Sequence, residues 1–108
     1  MLHQLRTYQL FAENKGAFHS RFDEHAWRIM QRHGFKILAF WEAEEDGGPV
    51  FVYLLVWPDE ATMASAWEAF MGDQEWSDIK ATTSAEHGRM VGWIRDHKLE
   101  PTSYSPEL

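Results

Sequence analysis

Hydrophobic spacing changes period several times along this chain, and each change marks an element. Residues 2–11, LHQLRTYQLF, are rich in strand formers, with Leu5 and Thr7 on one face and Arg6, Tyr8 and Leu10 on the other. AENKG then breaks the run. Phe18, Phe22, Ala26, Ile29, Met30 and His33 follow at helical spacing, and Gly34 stands where a helix takes its C′ glycine. Residues 35–44, FKILAFWEAE, predict a strand in which Ile37, Ala39 and Trp41 alternate with Leu38, Phe40 and Glu42. EDGGP is a turn cluster, and 50–57, VFVYLLVW, predicts the return strand of a hairpin. Pro58 ends it and Asp59 is placed to cap a helix carrying Met63, Ala66, Trp67 and Phe70. Gly72 closes that helix, and Asp73 caps a shorter one that turns Trp76 and Ile79 inward. Residues 88–99 predict a fourth strand. The tail 100–108 holds two prolines, and is expected to run extended along a partner or a sheet edge, anchored by Tyr104.

The order β–α–β–β–α–β is the ferredoxin-like arrangement: an α+β fold with a four-stranded antiparallel sheet and both helices on one face. The strand 50–57 makes this arrangement incomplete. Val50, Val52, Leu54 and Val56 share one face, and Phe51, Tyr53, Leu55 and Trp57 the other. A strand with one wet face alternates apolar and polar, and this one does not. The helices cover one face, and the loops are too short to cover the second. A second copy packed sheet to sheet, at about 10 Å, is the expected cover, so the pattern predicts a homodimer.

Length and composition narrow the function classes. At 108 residues the chain is expected to be a single domain, 1–108. A net charge of −7 with no basic cluster argues against nucleic acid and anionic membranes as partners. The absence of cysteine excludes thiol nucleophiles, disulfides and Cys-ligated metals. No apolar run is long enough to span a bilayer and the N-terminus lacks a secretory h-region, so a cytoplasmic setting is expected.

Several segments carry a resemblance. LRTYQL, RHGFKILAFW, VYLLVW, AWEAFMGDQEW and LEPTSYSP occur in order over nearly the whole chain and resemble the NIPSNAP family. Gln74 stands where that pattern has proline. The resemblance implies a dimeric α/β barrel, in which two ferredoxin-like sheets close on each other. The wider superfamily spans cofactor-free monooxygenases, haem-binding and haem-degrading proteins, isomerases, dehydratases and proteins without known activity. Fold is therefore implied far more closely than chemistry.

The candidate chemistry rests on a few side chains. His25 falls roughly 20° from Phe18 on a wheel of 100° per residue, inside the apolar stripe, where an imidazole serves as a general base or a haem ligand. It is weighed against a histidine that only fills the core. Arg6 and Tyr8 share a strand face, a pair able to hold a carboxylate or enolate-like oxygen. The structural alternative pairs Arg6 with a glutamate and packs Tyr8. Trp41, Tyr53, Trp57 and Trp67, with Trp93, are candidates to line a pocket for a flat hydrophobic or aromatic ligand, against a purely structural Trp-rich core. Trp27 is expected to be partly exposed. His25 and His33 lie eight residues apart, ~12 Å along the axis, too far to share an ion, and no metal site is expected. No phosphate loop or hydrolase elbow is present. Three readings follow. The first is a small-molecule-binding protein or cofactor-free oxygenase or isomerase, with its pocket between sheet and helices. The second is a haem-binding protein with His25 as axial ligand, and the third a non-catalytic dimeric module.

Overall fold

The computed structural model describes residues 1–108. Strand β1 (Leu2–Leu10) leads through a single 3-10 turn into helices α1 (Lys15–Arg21) and α2 (Trp27–Arg32), which are joined without a break by a π-turn, Phe22–Ala26. Strands β2 (Lys36–Glu45) and β3 (Gly48–Trp57) form the hairpin, α3 (Glu60–Met71) and α4 (Gln74–His87) follow, and β4 (Val91–Leu99) closes the sheet. The strand order is β2-β3-β1-β4, antiparallel throughout. This is the ferredoxin-like α+β fold. Its second helical segment is two helices rather than one, because Gly72 and the Asp73 cap interrupt it.

Capping residues act where the sequence places them. Asp59 accepts from the Thr62 backbone N–H at 2.7 Å, and Asp73 from that of Trp76 at 3.0 Å. At the end of α2, Gly34 adopts φ 87°, its N–H bonds the Gln31 carbonyl, and the Phe35 N–H reaches back to Met30. That six-to-one and five-to-two pair is a Schellman stop, and it needs a residue without a Cβ penalty at Gly34.

The core lies between the sheet and the helices. β3 contributes Phe51, Tyr53, Leu55 and Trp57, β1 contributes Leu2, Tyr8 and Leu10, and the helices contribute Phe18, Phe22, Ile29, Met30, Met63 and Phe70. Its aromatics form two groups. Phe22, Phe40, Phe51 and Tyr53 surround one another with centroids 4.9–6.2 Å apart. Phe35 meets Trp57, Trp67 and Phe70 at 5.0, 4.8 and 5.5 Å. Each such pair adds about 0.5–1.5 kcal/mol beyond the area it buries.

Two expectations about faces are corrected. In β2 the register shifts between Ile37 and Ala39, so Leu38 is bulged out. Ile37 therefore shares the helix-side face with Phe40 and Glu42, while Ala39 and Trp41 lie opposite Leu54 and Val52 on the other face. The tail after Leu99 joins no strand, and Tyr104 is exposed rather than anchored on its own sheet edge. The face away from the helices carries Leu5, Val52, Leu54 and Trp41, with Trp93 and Leu99 toward β4, and no element of the chain lies over it. No helix is long and apolar enough to cross a membrane.

Candidate functional site

Arg6 and Tyr8 both point to the helix side, as the register demands: Arg6 lies opposite Tyr53 and Asp96, and Tyr8 opposite Phe51 and Ile94. They border a cavity of about 230 Å³ between β1, β4 and the helices. Phe18, Phe22 and Met30 line one side, Trp67, Phe70 and Trp76 the other, and Arg21 and Lys80 stand on the helices above. Larger depressions elsewhere, including one of about 450 Å³ at Leu2, Pro58 and Pro101, are less suited to a ligand. One of about 430 Å³ near Gln9 and Arg95, and one of about 410 Å³ beside Trp27, have more mixed polar linings. A concave apolar wall with a few convergent polar groups is the pattern of a small-molecule site.

The polar floor is a connected network. Arg6 donates to the Tyr8 hydroxyl at 3.2 Å, and the Tyr8 and Tyr53 hydroxyls are 2.5 Å apart. Burial pushes the Tyr53 phenol well above its ordinary value; Tyr8 adds to the shift and Arg6 opposes it, so Tyr53 is a neutral phenol. Burial also disfavours the charge on Arg6, but the Tyr8 and Tyr53 oxygens more than offset this, and its pKa is raised. The guanidinium lies 4.3 Å from the centroid of Trp67 and 3.5 Å from Asp96, and its Nε is buried without a partner. Gln4 holds the neighbouring indoles: its carbonyl accepts from Trp57 and Trp67, both at 2.9 Å, and its amide donates to Asp96 at 2.9 Å.

The other candidates separate. Trp67 lines the cavity. Tyr53 is fully buried behind Tyr8, and Trp57 is a core residue hydrogen-bonded to Gln4; neither lines the cavity. Trp41 is half-exposed on the opposite sheet face, where it cannot touch a ligand bound under the helices. Trp27 is 37% exposed and packs edge-on against Phe40. His25 is corrected most. Its ring bonds Arg28 at 3.0 Å and approaches Glu24, with its side chain 36% exposed, and it borders a shallow surface groove. The cause is the π-turn: the Trp27 N–H bonds the Phe22 carbonyl five residues back. An underwound turn advances by less than 100° per residue, so a wheel drawn at that angle misplaces His25.

Arg21 and Lys80 were not legible as site residues. A signal exists in retrospect, since Arg21 stands i+3 from Phe18 and Lys80 i+4 from Trp76, on the inward edges of their helices. Gln4 carried another: an amide at a helix-facing position of a strand must find partners.

A NIPSNAP family profile matches residues 3–106. The chain belongs to the NIPSNAP family. No curated protein sequence matches it. Among solved structures it is similar to a NIPSNAP domain protein from Burkholderia xenovorans, with 18% identity and a TM-score of 0.77, covering 99% of this chain and 100% of that one. A NIPSNAP family protein from Agrobacterium tumefaciens superposes with a TM-score of 0.80 at 16% identity, over 98% and 92% of the two chains. A putative antibiotic biosynthesis monooxygenase from Deinococcus radiodurans is a more distant neighbour, at TM-score 0.58 and 14% identity over 100% and 99%. At these identities the structural likenesses establish the fold that NIPSNAP proteins share with such neighbours, a ferredoxin-like α+β unit of the dimeric α/β barrel type.

Proposed function

We propose that the cavity under the helices binds a small aromatic or carbonyl compound, with Tyr8 as its hydrogen-bond donor and Arg6 as the charge behind it. The observation that carries this reading is the position of the Tyr8 hydroxyl in the Arg6–Tyr8–Tyr53 chain. A phenol oxygen accepts two hydrogen bonds and donates one. Either hydroxyl of the Tyr8–Tyr53 pair can donate to the other; when Tyr53 donates, as Arg6 does, Tyr8 keeps its own proton for a ligand oxygen. Negative charge developing on that oxygen shortens the bond, and the fixed guanidinium stabilises it beside a largely apolar wall. Stabilising an enolate-like anion is the step common to isomerisation and cofactor-free oxygenation of carbonyl compounds, and it is the chemistry these residues support.

Haem does not fit this lining. No histidine borders the cavity, and His25 lies outside it beside Arg28. A homodimer is supported by the uncovered sheet face: a second copy over Leu5, Val52 and Leu54 would close two sheets into a barrel and leave both cavities outside the seam.

The test is a fluorescence titration with 1-tetralone, a fused-ring ketone, reading Trp67 and Trp76 from within the cavity wall. Saturable quenching is expected, weakened about tenfold by Tyr8→Phe, as one lost hydrogen bond requires. Equal affinity for wild type and Tyr8→Phe would remove Tyr8 from the site. Absence of quenching would favour a non-catalytic module.

A further inference from the structure

The cavity's charge is opposite to that of the protein that holds it. Acidic residues outnumber lysine and arginine 17 to 10 in this chain. Three basic residues nevertheless line the cavity, Arg6, Arg21 and Lys80, and no acidic residue does. The pairing pattern makes this more than a matter of count. Arg6, Lys15, Arg28, Arg32, Arg95 and Lys98 each lie within 4.0 Å of a carboxylate. The other four, Arg21, Lys36, Lys80 and Arg89, do not, and of these Arg21 and Lys80 line the cavity.

Arg21 is the more telling of the two. Burial lowers its pKa, with only Tyr8 acting in the other direction, and its side chain makes one hydrogen bond, to the Thr83 hydroxyl at 3.0 Å. A guanidinium offers five N–H donors and stays charged, so most of its donor capacity is unspent. Leaving a half-buried cation without a counter-charge is unfavourable unless something else supplies one. Lys80 stands near it. The Arg21 guanidinium lies 5.3 Å and the Lys80 ammonium 5.7 Å from the centroid of the same ring, Trp76. Two unpaired cations therefore flank one indole, while Arg6 and Tyr8 lie on the sheet below.

We infer that the ligand is an amphipathic anion: a flat apolar body carrying a carboxylate or similar anionic group. The body lies among Phe18, Phe22, Trp67 and Trp76, and the anionic group lies between Arg21 and Lys80. This deepens the reading of the cavity as a small-molecule site and rests on it. It adds a class, since a neutral aromatic ketone satisfies Tyr8 but leaves Arg21 and Lys80 unmatched. The acidic exterior gives no general attraction for anions, so selectivity for them has to come from these side chains.

The experiment compares two probes of the same shape, 2-naphthoate and 2-naphthamide, titrated into the full chain with tryptophan fluorescence as readout and calorimetry as check. The carboxylate is expected to bind at least tenfold more tightly than the amide at low salt, with the gap narrowing as salt is added. Lys80→Gln and Arg21→Gln should each reduce the ratio of carboxylate to amide affinity severalfold. Arg21→Lys, which keeps the charge and guards against loss of folding, should retain most of it. Equal binding of the two probes would overturn the anion inference and leave the cavity reading standing. A carboxylate preference that survives Lys80→Gln and Arg21→Gln together would also overturn it, placing the anion elsewhere. If neither probe binds, the cavity reading fails and the inference falls with it.

Discussion

At the scale of single residues, Gln4 decides more than its position suggests. Its carbonyl is the only side-chain partner of both the Trp57 and the Trp67 indole N–H, and Gln4 itself is 1% exposed. Gln4→Leu is close in volume but leaves two indole donors and the Asp96 carboxylate without it. One unsatisfied buried donor costs about 1–3 kcal/mol, so the substitution should lower stability by about 3 kcal/mol, measured as a shift in urea midpoint at constant slope. A loss below about 1 kcal/mol would mean that water or a neighbour replaces the amide. Because Trp67 also lies over Arg6, ligand affinity should fall in the same variant even where it remains folded.

At the scale of elements, the junction between α2 and α4 is an ionic clasp built on the Asp73 cap. One Asp73 oxygen accepts from the Trp76 N–H, and the other meets His33 at 2.7 Å and Arg32 at 2.8 Å. The His33 and Arg32 bonds, with the backbone bond behind them, hold the Asp73 carboxyl far below the usual carboxylate range. A group whose folded pKa is depressed adds stability above its unfolded value, and loses it as pH falls toward the folded value. The unfolded value is about 3.9, so the melting temperature should begin to fall near pH 4 and continue downward. Asp73→Asn keeps a capping oxygen but not the charge. Its melting temperature should be lower than wild type at pH 7, with the two curves converging in acid. Parallel curves from pH 7 to pH 2 would show that the clasp contributes nothing to the acid limb. The π-turn acts at the same scale, since one underwound turn moves His25 from the cavity to the surface without altering the register of Phe18, Phe22 and Ala26 in the core.

At the scale of the molecule, the two faces of the sheet have separate fates. The helix side holds the core and the cavity. The opposite side presents Leu54 between Leu5 and Ala39 at the centre of an apolar surface that no helix of the chain covers. The proposed homodimer makes a direct prediction. Wild type should sediment as a dimer at micromolar concentration, and Leu54→Lys should sediment as a monomer with its helical circular dichroism intact, because that side chain faces away from the core. A wild-type monomer at that concentration would sink the proposal. A Leu54→Lys protein that stays dimeric would move the interface off this face.

Much of this architecture is determined by local sequence. The hairpin at EDGGP, the caps at Asp59 and Asp73, the stop at Gly34 and the apolar stripe of Phe18, Phe22 and Ala26 are all set by interactions within a few residues, which is why spacing reveals them. The shared face of Arg6 and Tyr8 was equally legible, since it follows from the period of a strand. What lay beyond the sequence was decided by geometry that accumulates along the chain or joins distant segments. The short π-turn Phe22–Ala26 shifts the phase of a helix and carries His25 out of the site. A single bulge at Leu38 assigns Ile37 and Trp41 to opposite faces. The meeting of Arg21, Lys80 and Trp76 depends on α1 packing beside α4 across some sixty residues of chain. Local periodicity carries no information about such a contact. Only the folded chain brings those charges to one wall.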